Sequence, residues 1–170
     1  MMLISRGILP AVLSLAIVGC ATNQPKNVSE LRDSFKGGGT FLKSESHTVK
    51  RDFKAVIKDF ENKAMVCFNG VKSAKGWDHN GYYSTSSTSF VASMKRESDK
   101  MVAFTIQDKI GNAIYIGGVP QGGSYNFLAD IERINKSTTK ITLNGIVMKS
   151  TGYFESVLAW ANGKDATCPL

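Results

Sequence analysis

Between Phe53 and Ala64 the large apolar residues recur at helical spacing, and from about Val102 onward they recur at strand spacing. That change of period most narrows the architecture, because a helix with one apolar stripe has to bury it against something. Phe53, Val56, Ile57, Phe60 and Ala64 stand at i, i+3, i+4, i+7 and i+11, while Lys54, Lys58, Asp59, Glu61 and Lys63 take the other face. Asp52 is placed to cap the helix, and Asn69-Gly70 to stop it, just after Cys67 and Phe68.

The flanking segments supply the sheet. Thr40 to Lys50 predicts a first strand, and VKSAKGWDHNGYY after the helix reads as a loop. Tyr83 to Met94 predicts a long half-exposed strand, turned back at Glu97 to Lys100. Val102, Phe104 and Ile106 alternate with smaller or polar residues, as do Tyr125, Phe127, Ala129 and Ile131. Ile114 to Ile116 predicts a shorter strand, Gly117 to Gly123 a loop, and Ile141 to Gly145 a last strand. Ser150 or Thr151 is then expected to cap a second helix with Tyr153, Phe154, Val157, Leu158 and Ala161 on one face, ended by Gly163 and Lys164. The expected class is α+β: one antiparallel sheet of about five or six strands with two helices on one face. In order this is β-α-β(4-5)-α, as in TBP-like or helix-grip domains.

The amino-terminal segment carries an address. Arg6 precedes a short apolar run from Gly7 to Val18, the charged and apolar regions of a secretory signal. The run is shorter than the roughly 20 residues a membrane-spanning helix needs. Ile17-Val18-Gly19-Cys20 resembles the lipobox of bacterial lipoproteins, which implies cleavage before Cys20 and acylation of that cysteine. The implied organisation is a lipoprotein signal peptide over 1–19, a lipidated flexible tether over 20–39 and a single α+β domain over 40–170. Ala21, rather than an aspartate, follows the cysteine; by resemblance to the sorting rule of enteric bacteria the destination is the outer membrane, facing the periplasm. Thioether-linked diacylglycerol and an amide-linked acyl chain exceed the two signals that stable anchoring takes.

The formal charge is +7 for the chain and +6 once Arg6 leaves with the signal. The lysines are scattered, with no block of nucleic-acid type, so a solvated basic surface is the plain reading. Attraction to anionic lipid, lipopolysaccharide or cell-wall polymers is the sharper one. Cys67 and Cys168 remain after Cys20 is committed to lipid, and in an oxidising compartment two cysteines are expected to pair. The competing metal site with His47 or His79 lacks ligand spacing.

Here the element order meets a family. A lipid-anchored chain with this order, and the segment HTVKRDFKAVIKDFENKAMVCF, resembles the C lipoprotein of the outer-membrane β-barrel assembly machinery and small uncharacterised proteobacterial lipoproteins. That resemblance implies no catalytic residues and no cofactor. The residues agree: Asp78-His79 lies in a Gly- and Asn-rich segment, Ser84 to Ser89 lack a nucleophile elbow, and GGVPQGG lacks a phosphate-loop lysine. Asp130 and Glu132 are expected on opposite faces of their strand, unable to act together. Tyr82, Tyr83, Phe90, Phe104, Tyr115, Tyr125 and Phe127 are expected mostly as core facing the helices, with an apolar-ligand cleft as the alternative. The function expected is a non-enzymatic binding or scaffolding module with an envelope protein partner, or else a lipid or glycan carrier.

Overall fold

The computed structural model describes residues 25–38, 41–77, 83–110 and 120–170. Cys20, His79, Tyr82, Tyr115 and the strand expected at Ile114 to Ile116 lie outside these residues. The described chain runs α1 (Val28–Lys36), β1 (Leu42–Val49), α2 (Phe53–Asp59), a π-helical turn (Phe60–Ala64), α3 (Met65–Cys67), β2 (Gly70–Trp77), β3 (Tyr83–Ser98), β4 (Met101–Ile110), β5 (Ser124–Asn135), β6 (Thr138–Ile146) and α4 (Val147–Ala161). The six strands form one antiparallel sheet in the order β1-β6-β5-β4-β3-β2. The helix-grip arrangement expected from the element order is present.

The predicted stripe forms as one continuous helical rod. The Asp52 carboxylate accepts from the amides of Lys54 and Ala55, at 2.9 and 3.2 Å. Four-residue steps from Phe60 to Ala64 to Phe68 would drift by about 40° each around a regular α-helix. The wider π turn offsets this drift, and all three side chains reach 0% exposure. Asn69 ends the rod, donating to the Met65 carbonyl and accepting from the Ala92 amide in β3.

Two expectations need correction at element boundaries. The segment from Gly70 to Trp77 is β2, an edge strand paired with β3, not a loop. Its described side chains from Val71 to Ser73 are all exposed, so no buried face imposes an alternation that the sequence could show. The last helix begins at Val147, not after Ser150 or Thr151. Ser150 lies within its first turn and donates to the Ile146 carbonyl at 2.7 Å. Gly145 makes this abrupt start possible: a Cβ there would fall 2.6 Å from the Ser150 side chain. The far end of α4 matches the expectation, with Gly163 at φ +77°. Beside it the Arg51 guanidinium joins Asp59 of α2 to the carbonyls of Trp160 and Ala161.

A further helix lies within the expected tether, where the spacing of Val28, Leu31 and Phe35 allows a short helical turn to dock on the domain. In α1, Asn27 caps the helix through the Glu30 amide, and Leu31 is buried against Ala103 and Leu128. Those two residues alternate with Phe104 and Phe127, so α1 covers the sheet face opposite α2 and α4. The layers are therefore α1, sheet, and the α2–α4 pair.

Candidate functional site

A cleft between the sheet and its long helices is the first place to seek a ligand, and among the described residues side chains pack it closely. Phe104 and Ile106 of β4, Phe127, Ala129 and Ile131 of β5, and Ile141 and Leu143 of β6 point at the helices. Phe60, Phe68, Tyr153, Phe154, Val157 and Trp160 answer from the other side. The rings meet edge to face: Phe60 to Phe104 at 5.3 Å, Phe68 to Tyr153 at 4.9 Å, and Phe127 to Phe154 at 5.6 Å between centroids. Phe104 and Phe127 thus serve as the core that the sequence predicts. Phe90 packs at its margin, whereas Tyr125 belongs to the α1 side.

One end of this interface is polar. Asp108 and Ser124 are cross-strand partners on the helix side, 6% and 7% exposed, and the Ser124 hydroxyl has no hydrogen-bond partner among the described residues. The Tyr153 hydroxyl is pushed up to about 12, first by burial and then by the negative charge of Asp108. An unfolded tyrosine ionises near 10. Neutral Tyr153 therefore contributes stability that is complete below pH ~10 and is lost as pH rises towards ~12. Ultraviolet titration of the folded chain is expected to show a late-ionising tyrosine that Tyr153→Phe removes; an unchanged titration curve would disprove the assignment.

The opposite face is built differently. Hydroxyl and amide side chains pair across its strands: Ser44 to Asn144 at 2.7 Å, Ser46 with Thr142 at 2.9 Å and Ser93 with Thr105 at 2.7 Å. Arg32 of α1 donates two hydrogen bonds to the Asp130 carboxylate, at 2.8 and 2.7 Å, and one to Glu97 at 3.0 Å. The Asp130 hydrogen bonds hold Arg32 protonated well above its ordinary range, outweighing burial. Beside this clamp a cleft of about 300 Å³ opens to solvent, lined by residues that include Phe35, Glu132, Lys140, Thr142 and Asn144. Asp130 and Glu132 both line it, which corrects the expectation that they point apart. Residues two apart on a strand share a face.

The disulfide expected between Cys67 and Cys168 is present, with the Cα atoms 5.5 Å apart. It ties the carboxy-terminal tail to the end of the α2–α3 rod. Lys63 reaches Asp165 at 2.7 Å, holding that carboxyl below its usual range, and Ser156 donates to the Thr167 carbonyl. His47 lies on edge strand β1 beside Glu45, at 3.1 Å. Among the described residues no three His, Cys, Asp or Glu side chains converge. Sequence reasoning missed the Arg32–Asp130 clamp. Its one legible signal is an arginine next to Leu31 on the Val28, Leu31, Phe35 stripe.

No family model and no curated protein matches the chain. Among solved structures it is similar to a START superfamily protein from Mycobacterium smegmatis, at 13% identity and a TM-score of 0.39, over 72% of this chain and 95% of that one. What the two faces can bind follows from their own residues.

Proposed function

We propose that the chain is a lipid-anchored, non-enzymatic binding or scaffolding module of the bacterial envelope, meeting a protein partner through the face beside α1. One contrast carries this reading: among the described residues the helix side of the sheet is packed with aromatic rings, while the α1 side keeps an open cleft lined mostly by polar side chains. Arg32, Phe35 and Met101 at this cleft are residue types enriched in protein contacts, and the hydroxyl and amide side chains around them suit a polar rim. The resemblance to the C lipoprotein of the β-barrel assembly machinery supports a scaffolding role. Cys20 is the proposed anchor to the outer membrane, with the domain in the periplasm. Among the described residues no helix is long and apolar enough to cross a membrane. With α1 docked, only Cys20 to Lys26 separate lipid from domain, a reach of at most about 25 Å.

Two experiments test this. Cys20→Ser is expected to leave uncleaved or soluble precursor; a normally processed, membrane-bound product would sink the anchor. A photocrosslinker at Thr142 in intact cells is expected to capture a defined envelope protein. Capture no greater than from a crosslinker at the exposed Lys58 position would count against the cleft.

A second reading, a carrier of a lipid or glycan ligand, has one observation in its favour. The buried Ser124 hydroxyl at the polar end of the helix–sheet interface, unpartnered among the described residues, offers a group that a ligand would satisfy. Native mass spectrometry separates the readings, since a carrier retains a non-covalent ligand and a scaffold does not.

A further inference from the structure

The charge of this protein is unevenly placed. At one end of the sheet the β3–β4 and β5–β6 turns meet the start of α2 and enclose a concave space of about 510 Å³. Lys54, Lys100, Arg133 and Lys136 line it, and Asp52 is the one carboxylate among the lining residues. Asp52 already accepts the amides of Lys54 and Ala55 as the helix cap. The four cations have no ion-pair partner among the described residues, in contrast to Arg32, Lys36, Lys43, Arg51 and Lys63. Four like charges in one concavity repel each other, and a multivalent anion would relieve that repulsion.

The pocket is also preorganised. The Arg133 amide donates to the Lys100 carbonyl at 2.8 Å, tying the two turns together. The Arg133 guanidinium lies 5.9 Å from the Phe53 ring centroid, which holds it on the wall of the pocket. Asn135 fixes its turn by accepting from the Ser137 amide. Ile134, 54% exposed, stands among these cations.

We infer that this pocket binds an anion carrying two or more phosphate groups. The cations come from three separate elements, so a single carboxylate would reach only some of them. Clustered phosphates present several acceptor oxygens to lysine point charges and one arginine fork. The site is separate from the cleft beside α1 and does not depend on the lipid anchor.

The test is calorimetric titration of the full chain, in neutral detergent micelles, with inorganic tripolyphosphate. The same titration is then run with micelles doped with cardiolipin, which carries two phosphates, or with phosphatidylcholine. Saturable tripolyphosphate binding is expected, weakened about tenfold or more by Lys100→Gln with Lys136→Gln. Lys58→Gln with Lys164→Gln, two exposed lysines outside the pocket, should leave it unchanged. Binding of cardiolipin micelles with the same variant dependence would identify a lipid headgroup as the source of phosphate. Binding of tripolyphosphate alone would identify a soluble one. No saturable binding in either arm overturns the inference, as does equal weakening by both variant pairs, which would mean diffuse surface charge. Circular dichroism of each variant keeps misfolding from being read as lost binding.

Discussion

Phe127→Ala is expected to lower the unfolding free energy by about 3–5 kcal/mol. The ring is fully buried at the centre of the sheet. It touches Phe104 at 6.3 Å, Tyr153 at 6.0 Å and Phe154 at 5.6 Å, so it joins β4, β5 and α4 at one point. Truncation removes the transfer energy of the ring and leaves a void whose walls are themselves rings, with little freedom to collapse. Against a typical total of about 5–15 kcal/mol, a loss of that size brings a marginal domain close to unfolding. Denaturant titration with a fitted midpoint and slope measures it. A loss below about 1 kcal/mol would mean that the rings repack, and that the interface is loose enough to admit a ligand after all.

Opening the Cys67–Cys168 bond, by reduction or as the double serine variant, is expected to lower stability by about 2–5 kcal/mol. The two cysteines are 101 residues apart in sequence, so the bond closes β2 to β6 and α4 into one loop. For a loop of about that length the chain-entropy model gives about 4.7 kcal/mol, mostly by restricting the unfolded chain. The folded state should feel the loss locally, in the tail from Lys164 to Leu170. There the Lys63–Asp165 pair and the Ser156–Thr167 hydrogen bond would be left to hold a frayed terminus. Thermal unfolding with and without reductant gives the magnitude, and hydrogen exchange at the tail amides gives the place. An unchanged midpoint after verified reduction would show that the tail contributes nothing to the cooperative unit.

Asp130 shows how far the sequence carried the candidate site. On its own it is a carboxylate on a strand, and its alternation with Ala129 and Ile131 already assigns it to the face away from the core. Its partner Arg32 lies 98 positions earlier, in a segment whose composition reads as tether. No local pattern joins residues so far apart. The basic pocket is similar: Lys54, Lys100, Arg133 and Lys136 look scattered along the chain and converge only because two hairpin turns and a helix start share one end of the sheet.

What the sequence alone determined were the features whose physics is local in period. The 3.6-residue stripe from Phe53 to Ala64 and the two-residue alternation in β4 and β5 dictate helix and strand, because side-chain direction follows backbone geometry residue by residue. Two cysteines set after amphipathic helices made the disulfide legible, since both helices had to bury their stripes on one face. Tertiary structure decided the rest. Nine residues with a single stripe are too short to hold a helix in water, so α1 exists only because Ala103 and Leu128 offer Leu31 a small-residue seat. Strand β2 likewise exists because β3 offers it backbone partners. Gly145 allowed α4 to begin directly after β6, by leaving room for Ser150 where any Cβ would collide. For α1 and β2 the deciding energy came from a surface elsewhere in the chain, which no window of neighbouring residues contains.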